Sequence, residues 1–428
     1  MRNGTGGKMN PFSAFILHLH PRTVPAETIR FTLSFGLGGM AATLLLVMVC
    51  TGLLQLIKYS PNLEGAYVSI EQMYMPGVFG GYIRNIHFWA GNLLVIVAAL
   101  HLCRVFFTGA LSGKRRINWI LGIGIFLLVL FANFTGYLLP WDQLAYWAVT
   151  IFTNMMVYIP LIGNWLAVAL RGGGEVGSAT LANFFALHVG VLPCLLVLLL
   201  ACHFWLVRKA GGLVREGNHQ SDKVLVNPHL ISREVATAFV LLAVLLIFAA
   251  LVDAPLSEPA NPGESPNPAK AAWYFMGLQE LLLHLHPSVA ICIVPTFMLL
   301  GLLAVPYIRD ATLPEGIWFG GGRGPRLALM TYLLCGFLTI AVVCLDDILL
   351  RSQSLSSARN LLFSRGILPV LFVCLMQGGL YISLKRLGHY SRAQCIMAVV
   401  VSFFSIISGL TIIGIWFRGP GMQLVWPG

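Results

Sequence analysis

Charge is scarce in this sequence. Asp, Glu, Lys and Arg make up 10% of its 428 residues, against about 25% in a typical soluble chain. So few charges cannot clothe a water-facing surface, and a soluble globular fold is excluded. Nine cysteines occur, but no CxxC or CxxCH pairs any of them, so zinc ribbons, a disulfide framework and covalently attached c-type haem lack support. Scattered through apolar stretches, these cysteines read as small packing residues. The first long apolar run begins only near Phe31, so the N-terminus has no signal-peptide pattern. No phosphate-binding loop or activated nucleophile motif is legible either.

What the chain does have is apolar length: 57% hydrophobic residues and a mean hydropathy of +0.82. Segments of about 20 mostly apolar residues can cross a bilayer. They fall at 32–57, 86–107, 117–139, 183–207, 235–252, 288–308, 327–346, 367–385 and 393–417. The expected fold is therefore an all-α membrane protein with nine transmembrane helices. A shorter stretch, 143–158, is bounded by Pro140 and Pro160 and reads as an amphipathic helix lying on the membrane surface.

The net charge of +11 does not indicate nucleic acid, because the basic residues cluster in short loops. Arg2, Lys8, Arg22 and Arg30, the Lys114-Arg115-Arg116 loop, Arg208, Lys209, Arg215, Lys223 and Arg233, Arg309, Arg323 and Arg326, and Lys385, Arg386 and Arg392 all fall on one side if the spans alternate, with Arg104 near a helix end on that side. By the positive-inside rule that side is cytoplasmic, so the N-terminus is expected inside and the C-terminus outside. The polar stretch 208–233 separates a four-helix front half from a five-helix back half. A Pro-rich loop, 253–287, follows the fifth span, and long loops of this kind are usually functional.

Histidine in a membrane helix is costly and needs a partner. The second span carries His87 and His101, fourteen residues apart; the fourth carries His188 and His203, fifteen apart. Fourteen residues are nearly four turns and about 21 Å of helix, so His87 and His101 share a face near opposite membrane surfaces. Two such helices can clamp two groups stacked across the bilayer, and imidazole from both sides suits haem iron in a helical bundle. Gly38 and Gly52 on the first span, and Gly122 and Gly136 on the third, repeat the spacing of fourteen and read as beds where a flat macrocycle meets backbone. Arg84 and Arg104 are placed to neutralise haem propionates. A transporter or channel would leave the matched histidines unexplained.

GLGG at 36–39, RNIHFWAGNLLVIVAALHLCRVFFTG at 84–109, GYLLPWDQLAYWAV at 136–149 and RGGGEVGSATLANFFALHVGVLP at 171–193 resemble the cytochrome b family of the Rieske–cytochrome bc complexes. The resemblance spans roughly residues 30–310, and the front half is most similar to the b6-type branch. It implies two non-covalent b haems, an outer low-potential one on His87 and His188 and an inner high-potential one on His101 and His203. It further implies quinol oxidation near the outer surface, with Tyr137 and Asp142 on one wall of the pocket and Trp273 and Tyr274 on the other. The partners it implies are membrane quinone, lipid, and a Rieske iron–sulfur protein or c-type cytochrome subunits, in a homodimeric complex of a bacterial inner (cytoplasmic) membrane.

Two departures from the family pattern matter. The loop reads Ala271-Ala272-Trp273-Tyr274, so Ala272 replaces a glutamate that would accept a proton from quinol, and alanine cannot. Glu280 is the expected substitute, with Lys270, His284 and His286 also nearby in sequence. Gly36 stands where the b6-type branch has a cysteine carrying a third haem, so no covalent haem is expected. The missing glutamate also keeps open a second function, a two-haem conduit between quinone and other redox subunits without electron bifurcation. The expected organisation is a cytoplasmic arm (1–31), a haem-binding four-helix domain (32–210), a quinol-site domain (211–310) and C-terminal helices (311–428) that carry no readable motif.

Overall fold

The computed structural model describes residues 22–426 apart from 76, 78, 213–221 and 353–362, and the side chains of 349–352 and 363–364 are likewise outside it. The start of the expected N-terminal arm, with Arg2 and Lys8, and the linker residue Arg215 lie outside the described residues.

Among the described residues, nine helices are long and apolar enough to cross a membrane: Leu37–Gln55, Gly80–Phe107, Gly113–Leu138, Ser178–Lys209, Val226–Leu251, Val289–Tyr307, Gly324–Ile348, Arg365–Arg386 and Arg392–Trp416. They correspond one for one to the nine expected spans and are called the first to ninth span below. Between the third and fourth lies the surface helix Gln143–Met156. Asp142 starts it, its carboxylate accepting from Ala145 N at 2.8 Å, which satisfies a donor the helix cannot pair internally.

The first span begins at a sharp turn. Phe35 and Gly36 both have positive φ, +50° and +65°, and a Cβ at Gly36 would stand 3.0 Å from Thr237 Cγ2 of the fifth span. The position therefore suits glycine by conformation and by close approach.

Three spans carry a π-helical turn that ends two residues before a proline. Leu187–Val191 precedes Pro193, Val289–Ile293 precedes Pro295, and Phe363–Ile367 precedes Pro369. Proline lacks an N–H and its ring collides with the carbonyl four residues back; a wider turn relieves both. In the fourth span this turn contains His188 and inserts one extra residue. That accounts for a histidine spacing of fifteen there against fourteen in the second span.

The first span packs on the second, the second on the third, and the third on the fourth, while the fifth lies against the first and second. Leu44, Ala90, Leu94, Val97, Val129, Leu196 and Leu245 form the core of this assembly. Hydrogen bonds between connections sort them into two ends. At one end Thr23–Pro25 pairs antiparallel with Lys223–Leu225, Arg104 Nε donates to Leu33 O and Trp318 Nε1 donates to Thr32 O. At the other, Gln143 N donates to Glu258 O, Gly421 N bonds Asn267 Oδ1 and His286 N donates to Arg365 O. Alternate crossings require this sorting, and it puts the C-terminal segment opposite the N-terminal one.

The loop 253–287 is ordered by both halves of the molecule. Its second part forms the short helix Met276–His284, which packs against the ninth span, as do the seventh and eighth. The ninth is the most deeply packed of the spans, whereas no residue of the eighth from Leu368 to Arg386 is fully buried.

Candidate functional site

The four membrane histidines come together as two pairs. His87 and His188 lie with ring centroids 6.2 Å apart and planes at 77°; His101 and His203 lie 6.4 Å apart at 71°. The rings are too far apart to touch and too near to leave room for a side chain. Two metal–nitrogen bonds of about 2 Å each, with the half-widths of two imidazoles, span this separation. The donor set is therefore sized for one metal ion held from opposite faces in each pair, and bis-imidazole haem fits it.

Each of the four glycines lies beside one histidine ring. A Cβ would approach histidine Cε1 to 3.2 Å from Gly52 (His87), 3.3 Å from Gly38 (His101), 2.5 Å from Gly136 (His188) and 3.7 Å from Gly122 (His203). The repeated spacing of fourteen records helices that must follow the histidine faces closely.

The outer pair is anchored through its second ring nitrogen. Thr51 Oγ1 lies 2.9 Å from His87 Nδ1; Thr135 Oγ1 and Ala132 O lie 3.1 and 3.0 Å from His188 Nδ1. At the inner pair, Nδ1 of His101 and of His203 are buried with no hydrogen-bond partner among the described residues.

Both arginines are buried, at 5% exposure each, but they differ. Arg84 donates to Tyr74 Oη, Ala254 O and Pro255 O at 2.6, 2.9 and 2.8 Å, so backbone carbonyls of the fifth-span exit already hold it. Arg104 donates Nε to Leu33 O at 2.8 Å and keeps a buried NH2 group with no acceptor among the described residues. A buried donor of this kind suits an anion.

A cavity of about 380 Å³ opens beside the outer pair. It is lined by His87, His188, Arg84, Tyr137, Asp142, Ala272, Trp273 and Tyr274, among others. Four of the five expected quinone-site residues thus share one space with the outer histidines. Trp273 is held by a 2.6 Å bond from Nε1 to Asn92 Oδ1, a link that sequence reasoning missed because a polar contact between a loop and a span 181 residues away leaves no local signal. Asp142 accepts from Ala145 N and from Ser257 N at 2.8 and 2.9 Å. Burial, only partly offset by these bonds, raises its carboxyl above the ordinary range.

Glu280 does not line this cavity. It is fully buried elsewhere, gripped by Arg418 just past the ninth span, with Nε at 3.1 and 3.0 Å from its two oxygens and NH2 also bonded to Oε1. His284 Nε2 lies 3.2 Å from Glu280 and its Nδ1 2.6 Å from Asp346; Arg418 NH1 reaches Asp347 at 3.0 Å. Burial alone would raise the Glu280 pKa, but the bonds to His284 and Arg418 outweigh it and hold it low. A carboxylate so held is an anchor, and the expectation that it replaces the missing proton acceptor is corrected. Lys270 is similarly occupied, donating to Ile415 O at 2.8 Å, and His286 lies against Tyr158.

Fold and site define a polytopic helical-bundle membrane protein built around two stacked imidazole pairs. Comparison with known proteins names the group. The cytochrome b/b6/petB family matches residues 24–211. Cytochrome b6 of Euglena gracilis is 40% identical over 175 residues, which cover 41% of this chain and 81% of that protein. Cytochrome b6 of Synechococcus sp. (strain CC9605) is 37% identical over 175 residues, covering 41% and 80%. Among solved structures, a chain described as "Hyperthermophilic respiratory Complex III" superposes with a TM-score of 0.66 over 94% of this chain and 95% of its own length, at 20% identity; that likeness concerns the fold, and it extends through the last three spans. The chain belongs to the cytochrome b/b6 family, the haem-binding membrane proteins of electron transport.

Proposed function

We propose that this chain is the cytochrome b subunit of a bc-type quinol-oxidising complex, carrying an outer haem b on His87 and His188 and an inner one on His101 and His203. The observation that carries the reading is the cavity shared by the outer histidine pair with Tyr137, Asp142, Trp273 and Tyr274. It brings a quinol-sized space against the first electron acceptor. When bound, the haems supply one-electron transfer between the two membrane faces.

The chain's own residues do the rest. Trp273, fixed by Asn92, and Tyr274 form one wall; Tyr137 and the start of the surface helix form the other. The mainly apolar lining of this space disfavours water beside the reacting oxygens. With Ala272 inert and Glu280 bound to Arg418, Asp142 is the carboxylate on the lining. Its raised pKa suits it to take a proton from quinol and pass it outward. Arg104, with a free buried donor, would pair a propionate of the inner haem.

The same reading assigns residues 32–210 to haem binding and 211–310 to the quinol site. Residues 1–31 form a cytoplasmic arm, and 311–428 brace the quinol-site loop. It places the protein in a bacterial inner membrane, in a homodimeric complex with a Rieske iron–sulfur protein or c-type cytochrome. A second reading, a non-bifurcating conduit between quinone and other redox subunits, is favoured by Ala272 on the cavity wall. One measurement separates them. In membranes with the inner quinone site inhibited, an added oxidant should drive reduction of haem b if the site bifurcates. Absence of that transient would select the conduit, and absence of two low-spin b haems per chain would defeat both.

A further inference from the structure

We infer that Thr51 and Thr135 fix the ring tautomer of the outer histidines and hold the outer haem at a lower potential than the inner one. This rests on the four histidines being haem ligands, as proposed above.

Each threonine hydroxyl has one proton, and it is already committed. Thr51 Oγ1 donates to Val47 O at 2.7 Å, and Thr135 Oγ1 donates to Ala132 O at 2.9 Å, each a carbonyl of its own helix. What each oxygen then turns toward histidine is a lone pair, 2.9 Å from His87 Nδ1 and 3.1 Å from His188 Nδ1. Ala132 O, 3.0 Å from His188 Nδ1, can only accept. So Nδ1 of both rings must carry the hydrogen, and Nε2 is left with its lone pair free for a metal. An Nδ1–H that donates to a fixed acceptor makes the imidazole a stronger electron donor, which favours the oxidised iron.

At the inner pair the same nitrogens find no acceptor. His101 Nδ1 and His203 Nδ1 are buried without a partner among the described residues. Four chemically identical ligands thus form two unequal pairs, and the inequality lies in the acceptors that two hydroxyls and the Ala132 carbonyl offer to the outer rings. A buried arginine stands three residues from a histidine in each pair, Arg84 from His87 and Arg104 from His101, so variants at the threonines isolate the hydrogen-bond contribution.

The test is redox titration of the b haems in the protein purified with the partners it carries in its membrane, unaltered and as Thr51→Val, Thr51→Ser and Thr135→Val. Valine keeps the shape and removes the acceptor; serine keeps the acceptor. Thr51→Val should retain two low-spin haems and raise the potential of the lower component by about tenfold in its reduction equilibrium, about 59 mV for one electron. The higher component should not move. Thr51→Ser should restore the unaltered value, and Thr135→Val should shift the lower component less, because Ala132 O still accepts from His188. An unchanged lower potential in both valine variants, or a shift confined to the higher component, overturns the inference while leaving the haem ligands as assigned. An unaltered protein without two low-spin haems overturns the ligand assignment and this inference with it.

Discussion

Arg418 Nε sits 3.1 and 3.0 Å from the two carboxylate oxygens of Glu280, with both side chains out of reach of solvent. The contact joins the segment after the ninth span to the short helix that follows Trp273 and Tyr274. Two further bonds run alongside it, from Lys270 Nζ to Ile415 O and from Gly421 N to Asn267 Oδ1. The last span and the segment after it thereby hold the loop on either side of Trp273 and Tyr274.

Breaking such a pair from one side leaves a buried charge uncompensated. Arg418→Ala should destabilise the folded back half by about 3–5 kcal/mol, read as a lower thermal midpoint in detergent. The paired replacement Arg418→Met with Glu280→Leu should recover most of that loss. A single variant as stable as the unaltered protein would show the pair to be idle.

The cluster also has a pH signature. Burial would lower the His284 pKa, but hydrogen bonds with Glu280 and Asp346 outweigh it and raise it above 6.5. A raised value means a stabilising contribution that is complete below pH 6.5 and is lost as pH rises through the folded-state value. Glu280, held low, contributes above its ordinary value of 4.5 and loses that contribution only as pH falls through its folded-state value. Thermal midpoints should decline as pH rises from 6.5 upward, and His284→Gln should flatten that decline.

Glycine replacements should rank by the room each histidine has. A Cβ at Gly136 would meet His188 Cε1 at 2.5 Å, at Gly52 and Gly38 it would meet a ring carbon at 3.2 and 3.3 Å, and at Gly122 at 3.7 Å, an ordinary contact. Gly136→Ala should lose the outer haem, Gly52→Ala and Gly38→Ala should bind with altered spectra, and Gly122→Ala should be close to unaltered. Haem-to-protein ratios from the pyridine haemochrome assay check the order.

Histidine replacements should act in pairs. His87→Leu and His188→Leu should each remove the same redox component, and His101→Leu and His203→Leu the other. Loss of different components within one pair would contradict the geometry that faces these rings across 6.2 and 6.4 Å.

Much of this was readable from residues alone, for identifiable reasons. Spans reveal themselves because hydrocarbon tolerates little but apolar side chains over about 20 residues. The histidine pairs are legible because helical periodicity converts a spacing of fourteen into a shared face. Glu280 was misplaced because proximity along one short helix to Trp273 says nothing about which side of it faces the cavity. Its actual partner, Arg418, is 138 residues away, and pairing over that distance leaves no trace in local pattern. The π turn at His188 was equally hidden, although Pro193 and the spacing of fifteen were both in view.

The amino-acid order by itself determined nine apolar crossings, their alternation, and four imidazoles at matched depths, because each depends on composition or period along a single helix. Tertiary structure alone decided which acceptor each imidazole nitrogen meets, which glycine yields to which ring, and that the final span holds the cavity wall in place. Those outcomes depend on how separate helices rotate and settle against one another, a choice made by close packing in three dimensions.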